Sequence, residues 1–467
     1  MAIEETEEAG PFVERVAALD IGKAGLVACL RVPAESGGRR RRQEVTDWTT
    51  MTADLVNLAD HLVCQGVELV VMEATGDYWR SPYYVLEAAG LRCWLVNARQ
   101  VKHLPGRPKT DKIDSVWLCK VAERGMCSPS FVPARPQRQL RLFTRYRIAA
   151  VRERTREMQR AEKLLEDAQL KVSVVASDLF GVSGRTMLGA LVAGERDPEV
   201  LADLARGRLR RKRTELVRAF QGSFEDAHAT VLAMILDRVD RLDTDIARLD
   251  ASIAEAVAAM ADRAPTQDRS GPGGGAPSPD AAGPPPGGPA PESPPQAGDG
   301  ARLGPAERLA EIPGISLQTA HTILAEVGTD VAAFPTAAHL VSWAGLAPKA
   351  NQSAGRSSPA RTTKGNRYLA GALGQVVFSL ARTQTFFGDR YRRIRASRGP
   401  QRAVVAVSRS VLTTIWHLLN DPDDRYRELG ADYHRNRQDT HKQAAAAVRR
   451  LERLGFEVTL AQPAAAI

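Results

Sequence analysis

The chain is poor in cysteine and has no long apolar run. Its 467 residues include five cysteines, with no CxxC pair and no Cys/His cluster of zinc-site spacing. Isolated cysteines in apolar surroundings are typical of reduced core thiols. No stretch reaches the apolar length of a membrane span, and the acidic start at residues 1–8 is unlike a secretory signal. We therefore expect a bacterial-type cytoplasmic protein with no membrane partner.

Acidic residues are outnumbered, and this imbalance indicates a partner class. Lys and Arg total 64 against 55 Asp and Glu, which gives a formal net charge of +9. A basic excess favours a polyanionic partner, because neutralising phosphates releases counterions. A basic but otherwise ordinary enzyme is the alternative. At 467 residues the chain is too long for one hydrophobic core, so we expect two or three domains.

Residues 13–130 alternate short β-like runs with helical segments in the order βββαβαβα. This order is typical of a mixed sheet covered by helices, an α/β fold. The predicted strands are 13–20, 26–32, 39–48, 68–73 and 92–96. The predicted helices are 52–65, 79–89 and one that begins near residue 110.

Residues 136–262 are basic, charged and helix-favouring, and they end in a strong periodic pattern. Apolar residues step mainly by three and four through Leu232, Ile235, Val239, Leu242, Ile246, Leu249, Ile253 and Val257. This heptad seam predicts a coiled-coil arm. An amphipathic helix packed on a core is the alternative. A dense basic cluster lies upstream, and it predicts either a nucleic-acid contact or a solvated helix face; its members are Arg208, Arg210, Arg211, Lys212 and Arg213.

Residues 263–304 are rich in Pro and Gly and have almost no apolar content. Such a segment cannot offset its ordering entropy, so we predict a disordered linker. A mainly helical C-terminal domain is expected at 305–435, followed by a helical tail at 436–467.

Four carboxylates in the first quarter of the chain predict a metal site. Asp20 and Glu73 each end an apolar run, where side chains of neighbouring strands can converge. Asp111 and Asp114 lie three apart at the start of a predicted helix, so both project from one face. Carboxylates so arranged suit two hard cations, which could activate an attacking oxygen and stabilise a leaving oxygen at a phosphodiester. The alternative is that the two aspartates only cap a helix and that Glu73 pairs with a lysine.

Two motifs in the C-terminal domain favour contact with phosphate. Pro313 and Gly314 lie between two predicted helices, and such a helix-hairpin-helix turn can present backbone N–H groups to a phosphate. It is also a common structural joint.

A hydroxyl among cations forms the second motif. Ser353 precedes Ala354 and Gly355 and is followed by Arg356, Lys364 and Arg367, which is a setting for a nucleophile that attacks phosphate. Taken alone, Ser353 is better explained as a loop hydroxyl that binds a phosphate.

Together these regions resemble the transposases of the insertion-sequence-110 family, the DEDD recombinases related to the Piv invertase. The first half carries "LDIGK", "MEATG" and "KTDKIDS", which look like the family's RuvC-like, RNase H-fold DEDD domain. The second half carries "IPGISLQTAHTILAEVG", "WAGLAP", "QSAGR" and "TTKGNRYL", which look like its C-terminal transposase domain.

The resemblance implies that Asp20, Glu73, Asp111 and Asp114 bind Mg²⁺, as two ions, with Mn²⁺ as an alternative. It also implies a serine that forms a covalent serine–DNA intermediate, and Ser353 is the residue that we match to it, with Ser357 and Ser358 close by. The implied partners are DNA, a structured guide RNA encoded by the element, and further copies of the chain in a dimer or tetramer.

We therefore predict a recombinase that cleaves and rejoins DNA strands. The competing hypotheses are a RuvC-like junction nuclease that uses water as its nucleophile, and a nucleic-acid-binding scaffold whose carboxylates are structural.

Overall fold

The computed structural model of the chain describes residues 13–34, 41–74, 76–97, 111–261, 303–353, 356–436 and 440–459. It forms two compact units, Met1–Pro133 and Ala134–Ile467. The predicted linker at 263–304 lies outside the described residues up to position 302. No helix in the described ranges is both long enough and apolar enough to cross a membrane.

The first unit is a mixed five-stranded sheet with helices on both faces. Its strands run in the order β3-β2-β1-β4-β5, with β1 antiparallel to β2 and parallel to β4. This arrangement is that of the RNase H fold, so the predicted α/β class is confirmed. The elements are β1 Val16–Ile21, β2 Gly25–Pro33, β3 Arg41–Thr49, α1 Thr52–Cys64, β4 Leu69–Glu73, α2 Arg80–Ala88, β5 Cys93–Val96 and α3 Asp111–Glu123.

The central strands are apolar on both faces, because each face is covered by helices. Side chains alternate along a strand, so one face of β1 and β4 carries Ala17, Leu19, Val70 and Met72, which pack with α1 and α2. The opposite face carries Val16, Ala18, Leu69 and Val71, which pack against α3. The core therefore has two layers, with the sheet between them.

The first strand begins later than the sequence predicts. We expected a strand from residue 13, but β1 begins at Val16. The backbone N–H of Val13 donates to the carbonyl of Glu123 at 3.4 Å, so this segment bonds to the end of α3 rather than to the sheet. The predicted third strand at 39–48 corresponds to β3, which is longer by one residue at its end.

The second unit is mainly helical. Its elements are α4 Arg135–Asp167, α5 Val172–Val175, α6 Val182–Val192, α7 Pro198–Asp203, a 3₁₀ segment Gly207–Lys212, α8 Arg213–Ala219, α9 Asp226–Ala261, α10 Pro305–Ala310, α11 Leu317–Val327, α12 Ala337–Trp343, β6 Lys349–Ser353, β7 Arg356–Arg361, α13 Arg367–Leu380, α14 Phe386–Arg398, α15 Pro400–Asn420, α16 Tyr433–Asn436 and α17 Thr440–Glu452.

The two longest helices, α4 and α9, pack against each other in opposite directions. Arg147 pairs with Asp250 and Arg154 with Asp243, so residue numbers increase along α4 as they decrease along α9, and the helices are antiparallel. Leu232, Val239 and Ile253 of the predicted seam are buried within the single chain. The seam of α9 is thus used against α4 of the same chain, and a coiled-coil arm that joins two copies stays a prediction.

The C-terminal helices α10–α15 pack together, with Leu324, Val376 and Val411 buried. The predicted helix-hairpin-helix corresponds to α10 and α11, with the positive-φ Gly314 between them. Arg308 of α10 is buried, and its Nη1 donates to the carbonyl of Asp421 at 2.9 Å and to that of Leu418. This guanidinium caps the end of α15, which fastens the hairpin to the domain.

Candidate functional site

Asp20 and Glu73 end neighbouring parallel strands. The pairing of β1 with β4 runs to Leu19 opposite Met72, and one further step brings Asp20 beside Glu73. Both continue the strand faces that carry Ala18 and Val71, which is the face covered by α3. Both side chains are half-buried. The two carboxylates therefore share one edge of the sheet and one face of it.

Helix α3 brings its first residues to that same edge. Its last residue, Glu123, lies at the start of β1, and the Cys119 thiol donates to the carbonyl of Val16 at 3.4 Å. The helix therefore runs antiparallel to β1, and its N-terminal turn lies at the end of the strand. Lys112 Nζ is 3.0 Å from Asp47 Oδ2 on β3, at the level of Asp20 in the sheet.

The other two predicted carboxylates lie on this turn. Asp111 begins α3, although its side chain is outside the described part of the structure, and Asp114 is half-buried one turn later. A cleft of about 370 Å³ opens beside Asp20, and it is bounded by the Gly22–Gly25 turn. The Gly22 N–H donates to the Gly25 carbonyl at 2.9 Å, which keeps this turn tight.

The donor chemistry of the tetrad fits a hard divalent cation, because carboxylate oxygens are the ligands that Mg²⁺ prefers. Among the side chains that the structure describes, which leave out Asp111, no three Asp, Glu, His or Cys groups approach closely enough to hold one ion. The metal site therefore stays a prediction, which rests on the shared edge and on the residue types.

Glu123 positions the helix that carries the aspartates, although no sequence motif pointed to it. It is buried at the far end of α3, where its carboxylate is 2.8 Å from Arg31 Nε and 2.7 Å from Arg41 Nε. A buried carboxylate requires such pairing. The sequence does hold a signal for this role. Glu123 continues the apolar stripe of the helix after Cys119 and Ala122, and a carboxylate on such a stripe indicates a buried ion pair.

Ser353 and Arg356 lie opposite each other in a β-hairpin. Ser353 ends β6 and pairs with Arg356, the first residue of β7. Only the backbone of the two strands is described, and residues 354 and 355 are outside the described residues. The strand assignment corrects the expectation of a loop at Ser353, because the two-residue separation lets the flanking segments pair.

Two glycines hold the base of this hairpin. A Cβ on Gly365 would lie 2.0 Å from the carbonyl oxygen of Ala344, and one on Gly345 would lie 2.7 Å from that of Thr363. Gly345 also has a φ of +75°, which disfavours other residues. At these two glycines the segment before the hairpin and the segment after it are in direct backbone contact.

Lys364 directly precedes Gly365, Arg367 follows it by two residues, and both are exposed. They line an open cleft of about 390 Å³ with Trp343, Tyr368 and Arg145. Arg145 comes from α4, which nothing in the sequence linked to the C-terminal motifs. The structure thus brings together two of the predicted nucleic-acid-binding cations and adds a third.

The basic cluster at 206–213 forms the 3₁₀ segment and the start of α8, and its members differ in their contacts. Arg208, Arg210 and Arg211 are exposed. Lys212 Nζ donates to the carbonyl of Val175 at 3.2 Å.

Arg213, in contrast, pairs with Glu199 at 2.9 Å and with Asp203 at 2.5 Å. Its hydrogen bond lowers the pKa of the Asp203 carboxyl below the ordinary value. The first three arginines are therefore better placed to meet a polyanion than Arg213.

Comparison with known proteins bears on both regions. The model of a DEDD transposase of the IS110 type matches residues 17–169, and a model described as transposase of the IS116/IS110/IS902 family matches residues 306–392. The chain belongs to the IS110 family of transposases. Helix α4 lies inside the first matched region by sequence, yet it belongs to the second compact unit.

Individual relatives share less. An uncharacterised 43.6 kDa protein of insertion element IS110 from Streptomyces coelicolor is 33% identical over 118 residues, which cover 24% of this chain and 28% of that protein. The RuvC structure of Thermus thermophilus is 14% identical, with a TM-score of 0.21 over 25% of this chain and 99% of RuvC. That similarity is too low to support a fold assignment, which rests on the strand order.

Proposed function

We propose that this IS110-family protein is a DNA transposase that cleaves and rejoins strands at the ends of a mobile element. The observation that carries the proposal is the edge of the first unit. Asp20 and Glu73 end adjacent parallel strands on one face, and the turn with Asp114 covers that face. The family membership and the net charge of +9 support a DNA substrate.

In this proposal Asp20, Glu73, Asp111 and Asp114 hold Mg²⁺, as two ions, and Mn²⁺ could replace it. The bound ions would supply positive charge at the attacked phosphate and at the departing oxygen. The carboxylates would orient this charge. The buried Glu123 keeps α3 seated on the sheet, so the aspartates stay at the strand ends.

The attacking oxygen comes from Ser353. Its hydroxyl oxygen bonds to the phosphorus of a DNA phosphodiester, and one P–O bond to deoxyribose breaks. The serine proton passes to a base, and the departing oxygen takes up a proton as a hydroxyl. A deoxyribose hydroxyl of a second strand then attacks the same phosphorus, which restores a phosphodiester and frees the serine.

The nucleic-acid partners follow from the same assignment. DNA is the substrate, and a structured guide RNA is held by the basic helical region, including Arg208, Arg210 and Arg211. RNA that co-purifies with the full chain should be a discrete species that matches sequence flanking the gene. Recovery of only bulk cellular RNA would contradict the guide assignment.

We also propose that the working form is a dimer or tetramer whose protomers share the carboxylates and the serine. A mixture of Asp20→Ala and Ser353→Ala chains should then regain part of the activity, because each supplies the group that the other lacks. No recovery in mixtures that form mixed oligomers would contradict sharing.

The test of the activity is the trapping of a protein–DNA adduct on a nicked element-end substrate. A covalent adduct should form with Mg²⁺ and disappear with a chelator or with Ser353→Ala. Ser357→Ala and Ser358→Ala are matched controls and should retain it. Cleavage without any adduct would contradict the transposase mechanism.

The second candidate is a metal-dependent junction nuclease that uses water. It is favoured by one observation, that the RNase H-like sheet with its carboxylates forms a compact unit of its own. A nuclease would place oxygen from solvent in the phosphate of its product, whereas serine transfer leaves the rejoined phosphodiester without it. Cleavage in ¹⁸O-labelled water separates the two.

A further inference from the structure

A fully buried carboxylate lies beneath the cationic cleft of the second unit. Glu326, near the end of α11, has an exposed fraction of 0%. Arg145 donates Nε and Nη2 to its two oxygens, each at 2.8 Å. Arg141 Nε lies 3.3 Å from Oε2. Asn366 Nδ2 donates to Oε2 at 2.5 Å, which brings the loop before α13 into the same cluster. A buried charge requires such pairing, so Glu326 holds all three groups in place.

Cations outnumber carboxylates among the described residues that line the cleft. Two guanidinium groups share the single carboxylate of Glu326, and Lys364 and Arg367 add two more cations at the rim. The cleft is lined by three cations and, among its described lining residues, by no carboxylate. Arg145 keeps 32% of its side chain exposed, so its charge reaches the cleft. A lining of this charge favours an anionic ligand.

Aromatic rings lie beside these cations. The guanidinium carbon of Arg145 is 4.5 Å from the ring centroid of Tyr368, and that of Arg367 is 4.8 Å away. Arg367 Nη2 also donates to the Tyr368 hydroxyl at 2.9 Å. Trp343 lines the same cleft. Cations that contact phosphate next to rings that can stack on bases are the combination by which proteins hold single nucleic-acid strands.

We propose that this cleft binds a phosphodiester of the DNA strand that the transposase cleaves. Arg145 contacts the phosphate with Lys364 and Arg367, the Tyr368 ring supports the two guanidinium groups that lie over it, and Glu326 is the positioning residue. This inference rests on the proposed function for its choice of DNA. The base of the hairpin that carries Ser353, at Gly345 and Gly365, adjoins the cleft, so a strand bound here enters the hairpin's surroundings.

Equilibrium binding of labelled single-stranded DNA tests the site directly. The full chain carries Ser353→Ala and is measured in chelator, so neither metal nor strand transfer enters the result. Arg145→Gln should weaken binding about five-fold at 0.1 M salt and lower the slope of log K against log salt by about 0.7, the loss of one phosphate contact.

The matched control removes one arginine charge outside the cleft. Arg382 is exposed just after α13 and does not line the cleft, so Arg382→Gln changes the net charge equally. It should leave the affinity and the slope unchanged. An equal loss from both variants would mean a diffuse charge effect and would overturn the proposal.

A second variant covers the case in which Arg145→Gln lowers the melting temperature. Tyr368→Leu removes the half-buried ring over which Arg145 and Arg367 lie. It should weaken single-stranded DNA binding by roughly three-fold, because both phosphate-binding guanidinium groups lose the ring that supports them. Unchanged DNA affinity in a folded Tyr368→Leu chain would contradict the assignment.

The positioning role of Glu326 has its own readout. Glu326→Gln should lower the salt slope as Arg145→Gln does, and the double variant should bind no more weakly than either single variant, because both act on one contact. Additive losses with an unchanged slope would reduce Glu326 to a structural role and overturn that part of the proposal.

The same binding titrations with RNA of equal sequence decide whether the cleft binds the phosphate of DNA or that of RNA. Loss of RNA binding with DNA binding intact would assign the cleft to RNA and overturn the proposal. Because these assays need no catalysis, a chain that binds as expected but never forms an adduct would contradict the proposed function and leave the cleft established.

Discussion

Each compact unit contains a buried glutamate shared by two arginines, but the two clusters lie in different relations to the candidate sites. In the first unit Glu123 binds Arg31 and Arg41 at the end of α3 remote from Asp114. In the second, Glu326 binds Arg141 and Arg145 directly beneath a cationic cleft.

The two glutamates therefore have different roles: Glu123 supports a helix from a distance, whereas the partner of Glu326 is itself part of the cleft. The Glu123 cluster joins α3 to β2 and β3, and its effect on the carboxylate edge passes through the whole helix. The Glu326 cluster contributes one of its own members, Arg145, to the cleft. Similar ion-pair chemistry therefore fixes a helix in one unit and shapes a proposed binding surface in the other.

The largest expected effect lies at the carboxylate edge. Asp20→Asn and Glu73→Gln should each lower strand transfer by more than about 100-fold, since even outer partners of a metal cost 10- to 100-fold. Asp60→Asn, on the exposed face of α1, is the matched control and should keep normal activity. Strand-transfer assays at saturating Mg²⁺ measure this, and an active Glu73→Gln chain would favour a structural role for the edge.

Removal of Glu326 should destabilise the second unit strongly. Glu326→Ala leaves two guanidinium groups without their carboxylate, and breaking a buried pair in this way costs about 3–5 kcal/mol. Urea unfolding followed by signals from the second unit measures the change. A loss below about 1 kcal/mol, the size of a surface pair, would contradict the burial of this cluster.

Glu123→Ala should have the smaller effect of the two glutamate variants and should affect a different property. Its carboxylate side chain is 10% exposed, against 1% for Glu326, so we expect about 2–3 kcal/mol, below the range of fully buried pairs. The salt slope of DNA binding should stay unchanged. If Glu123→Ala lowered that slope as Glu326→Gln is expected to, the two glutamates would not differ in their relation to DNA binding, which would contradict the comparison.

Two glycines of the second unit should respond with opposite signs. Gly365→Ala places a Cβ against the Ala344 carbonyl at 2.0 Å, and we expect a loss of about 1–3 kcal/mol from overpacking. Gly371, in α13, has open space around it, so Gly371→Ala should stabilise the helix by about 0.5–1 kcal/mol. Thermal unfolding of both variants measures the pair, and equal shifts would contradict the backbone contact at Gly365.

The smallest effect should come from the helix pair α4 and α9. Arg154 and Asp243 are partly exposed, and such pairs contribute about 0.2–1 kcal/mol. A double-mutant cycle with Arg154→Ala and Asp243→Ala measures their coupling. A coupling above about 2 kcal/mol would exceed what an exposed pair supplies.

Local patterns were sufficient to predict the sheet and its edge. Asp20 and Glu73 each terminate an apolar run, and parallel neighbours bring such ends together, so the sequence predicted their shared edge. The order of strands and helices likewise predicted the mixed sheet. The predicted start of β1 at residue 13 was wrong, because the backbone of Val13 bonds to Glu123, 110 positions away, instead of continuing the strand.

Contacts between distant segments could not be predicted. Arg145 and Glu326 are separated by 181 positions, and a single sequence holds no local signal that pairs them. The apolar heptad positions of α9 predicted that another helix packs on them, but they hold no information that this helix is α4 of the same chain. The assignment of Ser353 as nucleophile came from resemblance, since a serine among cations is by itself better explained as a phosphate ligand.

Mass spectrometry of the trapped protein–DNA adduct tests the central claim most directly. After digestion, a nucleotide should be found on the peptide that contains Ser353, and fragmentation should place it on that residue. If the carboxylates and Ser353 act in one reaction, as we propose, the same reaction with Asp20→Asn should yield no modified peptide. An adduct that still forms with Asp20→Asn, or that lies on a residue other than Ser353, would contradict the account.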